Sequence, residues 1–89
     1  MDIRYAVHPE QMKTLDTQKM REQFLVENLF ARDRLNMVYS HIDRIIVGGI
    51  SPVKGAVDLK VTKELGVDFF LQRREMGVIN IGAAGVVSI

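Results

Sequence analysis

His8 and His41 are the only imidazoles in the chain, and it contains no cysteine. A protein zinc site draws three or four ligands from Cys, His and carboxylates. No HxH, HxxxH or Cys pair is present, so the sequence holds no self-contained metal site and no metal ligand is assigned. His8 stands before Pro9-Glu10 and reads as a residue at a helix start. His41, close to Asp43, reads as a hydrogen-bonded strand residue and not as a base. Ser40-His41-Ile42-Asp43 does gather the residue types of a nucleophilic triad. Alternation along a strand puts Ser40 on one face and His41 and Asp43 on the other. A nucleophile must lie within hydrogen-bond reach of its base. The triad is rejected, and no catalytic residue is assigned.

Glycine-rich phosphate chemistry fares no better. Gly82-Ala83-Ala84-Gly85 lacks both the GxGxxG spacing and a following helix, and no Lys-Ser or Lys-Thr closes a Walker pattern. It reads as a tight turn between strands, and Gly48-Gly49 as a turn or bulge. Arg73-Arg74-Glu75 is the one charged cluster inside a β-rich stretch. Arginine holds a carboxylate bidentately, which makes Arg73 and Arg74 the candidate substrate-binding residues for an acidic sugar. The structural alternative pairs one of them with Glu75 or a neighbour, since alternation sends the two arginines to opposite faces.

The elements that must position these groups change in character along the chain. Pro9 at a first helical position, followed by Glu10, predicts a helix start after His8. Asp16 and Thr17 offer N-caps for a second helix over 18–25, with Met20 and Phe24 on one face. Residues 26–30 could continue this helix or begin a strand, and the strand is favoured. Residues 37–39 and 42–47 are rich in β-formers. Residues 56–61 alternate Val57, Leu59 and Val61 with Asp58 and Lys60, the period of a half-buried strand. Thr62 to Gly66 fits one helical turn, with Thr62 as cap and Gly66 as left-handed stop. Three further short strands are expected at 69–75, 77–81 and 86–89.

The 89 residues are 47% hydrophobic and 26% charged, which suits one folded domain and excludes a disordered tail. A net charge of +1 lacks the basic stripe of a nucleic-acid binder. The start, Met1-Asp2-Ile3-Arg4-Tyr5, has no basic region leading into an apolar core. The most apolar tract, 77–89, is shorter than the roughly 20 residues of a membrane helix. A cytoplasmic protein with neither membrane nor nucleic-acid partners is expected. Residues 76–89 carry no charged side chain, and the chain stops on a strand pattern. An open apolar strand edge invites aggregation, and short strands need neighbours. The expectation is an incomplete piece of a longer β-rich protein whose pairing partner lies beyond residue 89. The alternative is a strand completed by another chain.

Taken together, these segments resemble a known family. Lys13-Thr14-Leu15-Asp16-Thr17 and Arg21-Glu22-Gln23-Phe24-Leu25-Val26-Glu27 are similar to the opening of the 4-deoxy-L-threo-5-hexosulose-uronate ketol-isomerases, also called 5-keto-4-deoxyuronate isomerases. The match is strongest over Tyr39-Ser40-His41-Ile42-Asp43-Arg44-Ile45-Ile46-Val47-Gly48-Gly49-Ile50. It is nearly as strong at Leu65-Gly66-Val67 and from Phe70-Leu71-Gln72-Arg73-Arg74-Glu75-Met76 to Gly82. The pattern departs at Ala83-Ala84, where a further glycine is expected, and residues 52–61 match less closely.

The resemblance covers nearly all of this chain but only the first part of the family's length. It implies a mainly β fold: an incomplete cupin-type β-barrel at residues 35–89, the first half of a two-cupin protein, preceded by an N-terminal helical segment at residues 1–34. It implies a homo-oligomeric zinc enzyme of pectin and uronate breakdown. That enzyme interconverts 4-deoxy-L-threo-5-hexosulose uronate and 3-deoxy-D-glycero-2,5-hexodiulosonate. The family's zinc ligands, three His and one Glu, lie in its second half and match nothing here. The 89 residues alone are therefore expected to bind no zinc and to have no isomerase activity. The alternative is a non-catalytic structural or oligomerisation module.

Overall fold

Leu35-Asn36-Met37-Val38-Tyr39-Ser40 forms the central strand of the only sheet in the computed structural model, which describes residues 1–89. In chain order the elements are β1 (Asp2–Arg4), α1 (Pro9–Met12), α2 (Thr17–Phe24), β2 (Leu35–Ser40), β3 (Ile45–Ile50) and a 3-10 turn at Lys63–Leu65. The sheet order is β1-β2-β3. β1 runs parallel to β2, with Ile3 opposite Tyr39, and β3 runs antiparallel, with Leu35 opposite Ile50 and Ser40 opposite Ile45. The protein is mainly β. No helix is long and apolar enough to cross a membrane.

The chain divides into two compact units, Met1–Leu59 and Lys60–Ile89. In the first, Val38 and Tyr39 are the buried apolar side chains. Neighbours on a strand point to opposite faces, so Val38 and Tyr39 lie on opposite sides of β2. The helices form where the N-terminal signals predict them. The His8 imidazole Nδ1 accepts the Glu10 amide at 3.1 Å ahead of Pro9. The Asp16 carboxylate accepts the Lys19 amide at 2.8 Å and caps α2. Both helices bury no residue, and Met20 and Phe24 lie exposed on α2.

β2 and β3 are joined by a turn at 41–44 that ends in Arg44, whose φ of 51° is in the left-handed region. Gly48 and Gly49 do not turn the chain, as the sequence suggested. Both sit inside β3, opposite Met37 and Asn36. The reason is a close approach: a Cβ at Gly49 would stand 2.6 Å from Leu29 Cγ and 2.8 Å from the Leu29 carbonyl oxygen. On the opposing residue, Asn36 Nδ2 donates to that same Leu29 carbonyl at 3.1 Å. Directly opposed residues share one face of the sheet, so Asn36 and Gly49 together seat residues 28–29. Residues 26–30, expected as a strand, are accordingly irregular, with Asn28 at φ 54°. β1, which no sequence signal announced, falls within the segment expected to be helical.

The second unit corrects the remaining strand assignments. Its 3-10 turn is where residues 62–66 predicted one, and it stops at Gly66 with φ 59°. Thr62 flanks it without a side-chain cap bond. Residues 69–75 form bends and a turn, with the Gln72 amide donating to the Phe69 carbonyl at 3.1 Å. Residues 77–81 and 86–89 form no strand and have no ladder partners. Between them Asn80 Oδ1 accepts the Gly82 amide at 2.9 Å, and Asn80 Nδ2 donates to Ala83 O at 3.0 Å, so this glycine stretch does bend the chain. Residues 56–61, at the end of the first unit and the start of the second, also form no strand. Val57 and Leu59 are half-buried between exposed neighbours, but no ladder forms. In each case the pattern favours a strand, and the neighbour that would make it one is missing.

Candidate functional site

The polar groups of the first unit converge where the end of β1 meets the turn after β2. The His41 amide donates to the Arg4 carbonyl at 2.8 Å, continuing the parallel ladder by one residue. This brings Tyr5 over His41, with ring centroids 4.9 Å apart and planes at 22°. Tyr39 lies 4.7 Å from the same imidazole at 32°. His41 is thus an exposed turn residue held by ring stacking, where the sequence suggested a hydrogen-bonded strand residue. Ser40 Oγ accepts the Ile42 amide at 3.3 Å, and His41 is engaged with the two tyrosines. The residue types of a triad are adjacent in sequence and do not act together.

Next to this stack lies a hollow of about 360 Å³, lined by Asp2, Arg4, Tyr5, Gln11, Glu22 and Gln23 among others. Arg4 is the one cation in its lining, beside the carboxylates of Asp2 and Glu22, and its guanidinium is partnered. Nε meets the Asp2 carboxylate at 3.3 Å, and a terminal nitrogen donates to the Leu25 carbonyl just past α2. Its side chain is 19% exposed. Arg4 therefore ties the helical segment to the sheet, and the hollow offers polar walls without a free buried charge.

Asp33 is the most strongly organised carboxylate. Its Oδ1 accepts the amides of Val53 and Lys54 at 2.7 and 2.9 Å, and its own amide donates to Ser51 O at 2.9 Å. The Val53 amide, then the Lys54 amide, hold its carboxyl below the usual value. This is loop anchoring. Asp33 sits at φ 54°, a conformation that Asp tolerates better than most residues.

Arg73 ends the 70–73 turn and is exposed, while Arg74 follows it half-buried. Strand alternation does not apply to them, because this stretch is a turn. Together with Glu75 they lie in the second unit.

The residues present do not fit a zinc centre. No three of His, Asp and Glu come together as a ligand set. His8 Nδ1 is occupied by the Glu10 amide, and His41 is packed against two tyrosine rings. No step through a metal is derived from this chain. Sequence reasoning missed the roles of Arg4, Tyr5 and Asp33. Only the Asp33 anchor had a local signal, the ease with which Asp bonds nearby backbone amides in turns.

No protein-family model matches the chain. Proteins named 4-deoxy-L-threo-5-hexosulose-uronate ketol-isomerase do match it. Those of Salmonella newport (strain SL254), Salmonella heidelberg (strain SL476) and Escherichia coli O139:H28 are each 57% identical over 91 aligned positions. Each alignment takes in 100% of this chain and 33% of the relative. From Met1 to Ile89 the chain is similar to these ketol-isomerases, and it spans about a third of their length.

Proposed function

We propose that the chain acts as the N-terminal third of a ketol-isomerase interconverting 4-deoxy-L-threo-5-hexosulose uronate and 3-deoxy-D-glycero-2,5-hexodiulosonate. The observation that carries this reading is identity of 57% sustained over the whole chain. In such a reaction a proton moves between adjacent carbons while a carbonyl and a hydroxyl exchange places, a task for a positioned acid–base group. That group and the family's zinc ligands belong, on this reading, to the rest of the enzyme. The chain's part is architectural: it opens a cupin-type barrel, and its β1-β2-β3 sheet is the barrel's first piece. Arg73 and Arg74 are the groups here with the chemistry to meet the substrate carboxylate. The substrate is a small acidic sugar in uronate breakdown, handled in the cytoplasm by a homo-oligomer.

The test is an assay of sugar isomerisation with zinc present. The 89-residue chain alone should show no turnover. A chimera in which this chain replaces the aligned third of the Escherichia coli relative should turn over substrate. A folded, zinc-loaded chimera without activity would remove the isomerase reading. One observation favours a second reading, a non-catalytic assembly module: the exposed apolar residues of 76–89 suit subunit contact as well as they suit a barrel. That module predicts self-association of the chain by itself.

A further inference from the structure

Tyr5 lies with one ring face on His41 and is 68% exposed, so its outer face is open. It belongs to the wall of the hollow of about 360 Å³ beside the stack. That volume falls in the range of small-molecule sites, roughly 300–1,000 Å³. Every lining residue comes from the first unit. The ring has a firm backing. Tyr39 stands behind the imidazole at 4.7 Å, and the His41 amide is tied to the Arg4 carbonyl at 2.8 Å.

The polar part of the lining narrows what could bind. Gln11 and Gln23 bring side-chain amides, which both donate and accept. Asp2 and Glu22 bring carboxylates, which only accept. Gln18 Nε2 donates to Glu22 Oε1 at 3.1 Å and orients that carboxylate. The one cation, Arg4, is turned to the Asp2 carboxylate and the Leu25 carbonyl. With two carboxylates against one guanidinium, an anion such as a phosphate or a uronate meets net negative charge. An apolar ligand would strip water from these groups and return no hydrogen bonds. A ligand dense in hydroxyls returns them, since each hydroxyl donates and accepts. The electron-rich face of Tyr5 in turn suits a flat array of C–H groups. Hydroxyls around an edge and C–H groups on a face together describe an uncharged pyranose.

We propose that this hollow binds a neutral sugar, with Tyr5 as the stacking platform and Gln11, Gln23, Asp2 and Glu22 as hydroxyl partners. The inference goes beyond the isomerase reading, whose substrate is an anion, and does not depend on it.

NMR titration of the 15N-labelled chain with methyl β-D-galactopyranoside, and separately with galacturonate, tests it. The neutral glycoside should shift the backbone amides of 5–7, 11 and 22–23 and the side-chain amides of Gln11 and Gln23. Half-saturation should fall on the order of millimolar, as for a small ligand held by a few hydrogen bonds. Galacturonate should bind on the order of 10-fold more weakly at low salt, with the gap narrowing as salt rises. Tyr5→Phe keeps the platform and should bind like the parent, whereas Tyr5→Ala should lose on the order of 10-fold. Gln23→Ala leaves the ring stack alone and should lose about as much. Glu22→Gln should bring galacturonate closer to the neutral glycoside. The absence of saturable shifts by about 100 mM glycoside overturns the proposal. So does galacturonate binding as tightly as the glycoside, or full affinity in both Tyr5→Ala and Gln23→Ala. If Tyr5→Ala disturbs the β1 amides, Gln23→Ala decides. Isomerisation is not part of the readout, so an inactive chimera leaves a positive titration standing, and a failed titration leaves turnover by the chimera untouched.

Discussion

The Asp33 carboxylate accepts the Val53 amide at 2.7 Å across 20 residues of chain, and through it the segment after β3 is bound to the segment before β2. The Lys54 amide shares the same oxygen at 2.9 Å. Neither bond belongs to the sheet. They fix the path that leaves β3 at Ser51, whose carbonyl takes the Asp33 amide.

This anchor is pH-dependent, and its sign follows from the lowered pKa. The two amides favour the ionised form, so the folded pKa lies below the usual carboxylate value of about 4. The anchoring contribution is full above that usual value and is lost as pH falls through the lower folded one. Exchange of the Val53 and Lys54 amides, corrected for intrinsic rate, should stay slow at pH 5 and accelerate on acidification below 4. Asp33→Ala should remove the protection at every pH.

Gly49 and Gly48 should respond unequally to a methyl group. At Gly49 the added Cβ meets Leu29 backbone at 2.8 Å, which cannot move without displacing the strap that Asn36 holds. Gly49→Ala should cost about 1–3 kcal/mol, the range for overpacking. At Gly48 the nearest atom is Met37 Cγ at 3.3 Å, on a flexible side chain, so Gly48→Ala should cost less. Amide protection of β2 and β3 distinguishes the two.

Removing the α2 cap should unwind that helix selectively. Asp16→Ala deletes the acceptor of the Lys19 amide, worth about 1 kcal/mol at an N-cap. Because α2 buries no residue, packing does not compensate for the loss. The far-UV helical signal should fall, whereas Asp16→Asn or Asp16→Ser should restore it.

Arg4→Ala should release the helical segment from the sheet. The guanidinium bonds to Asp2 and to the Leu25 carbonyl, and a partly exposed charged hydrogen bond is worth about 1 kcal/mol. The β1 amides should lose protection while the β2–β3 hairpin keeps it. Equal protection of β1 in both proteins would show that the ladder alone holds it.

What was legible in the sequence was local. His8-Pro9, Asp16 and Gly66 act through their own backbone neighbours, and each does what its residue type predicts. Val38 and Tyr39 lie in a run of β-formers that the hairpin partner at 45–50 completes. Four failed strand assignments share one cause. Residues 56–61, 69–75, 77–81 and 86–89 have strand-like composition, and a strand also requires a neighbour that no window of residues contains. Gly48-Gly49 was misread because a close crossing by Leu29 and a turn ask for the same residue. Of the candidate site, the rejection of Ser40-His41-Asp43 rested on alternation. The structure separates these groups differently, by turning His41 into the ring stack.

The parallel pairing of β1 with β2 gives the first residues made a late appointment. During synthesis Asp2, Ile3 and Arg4 leave the ribosome well before Val38, Tyr39 and Ser40 exist to receive them. The hairpin of β2 and β3 closes over a four-residue turn, while β1 must wait for a long loop to close around both helices. A bulky fusion placed directly on Met1 sits against that waiting strand, so purification tags on this polypeptide belong on a spacer.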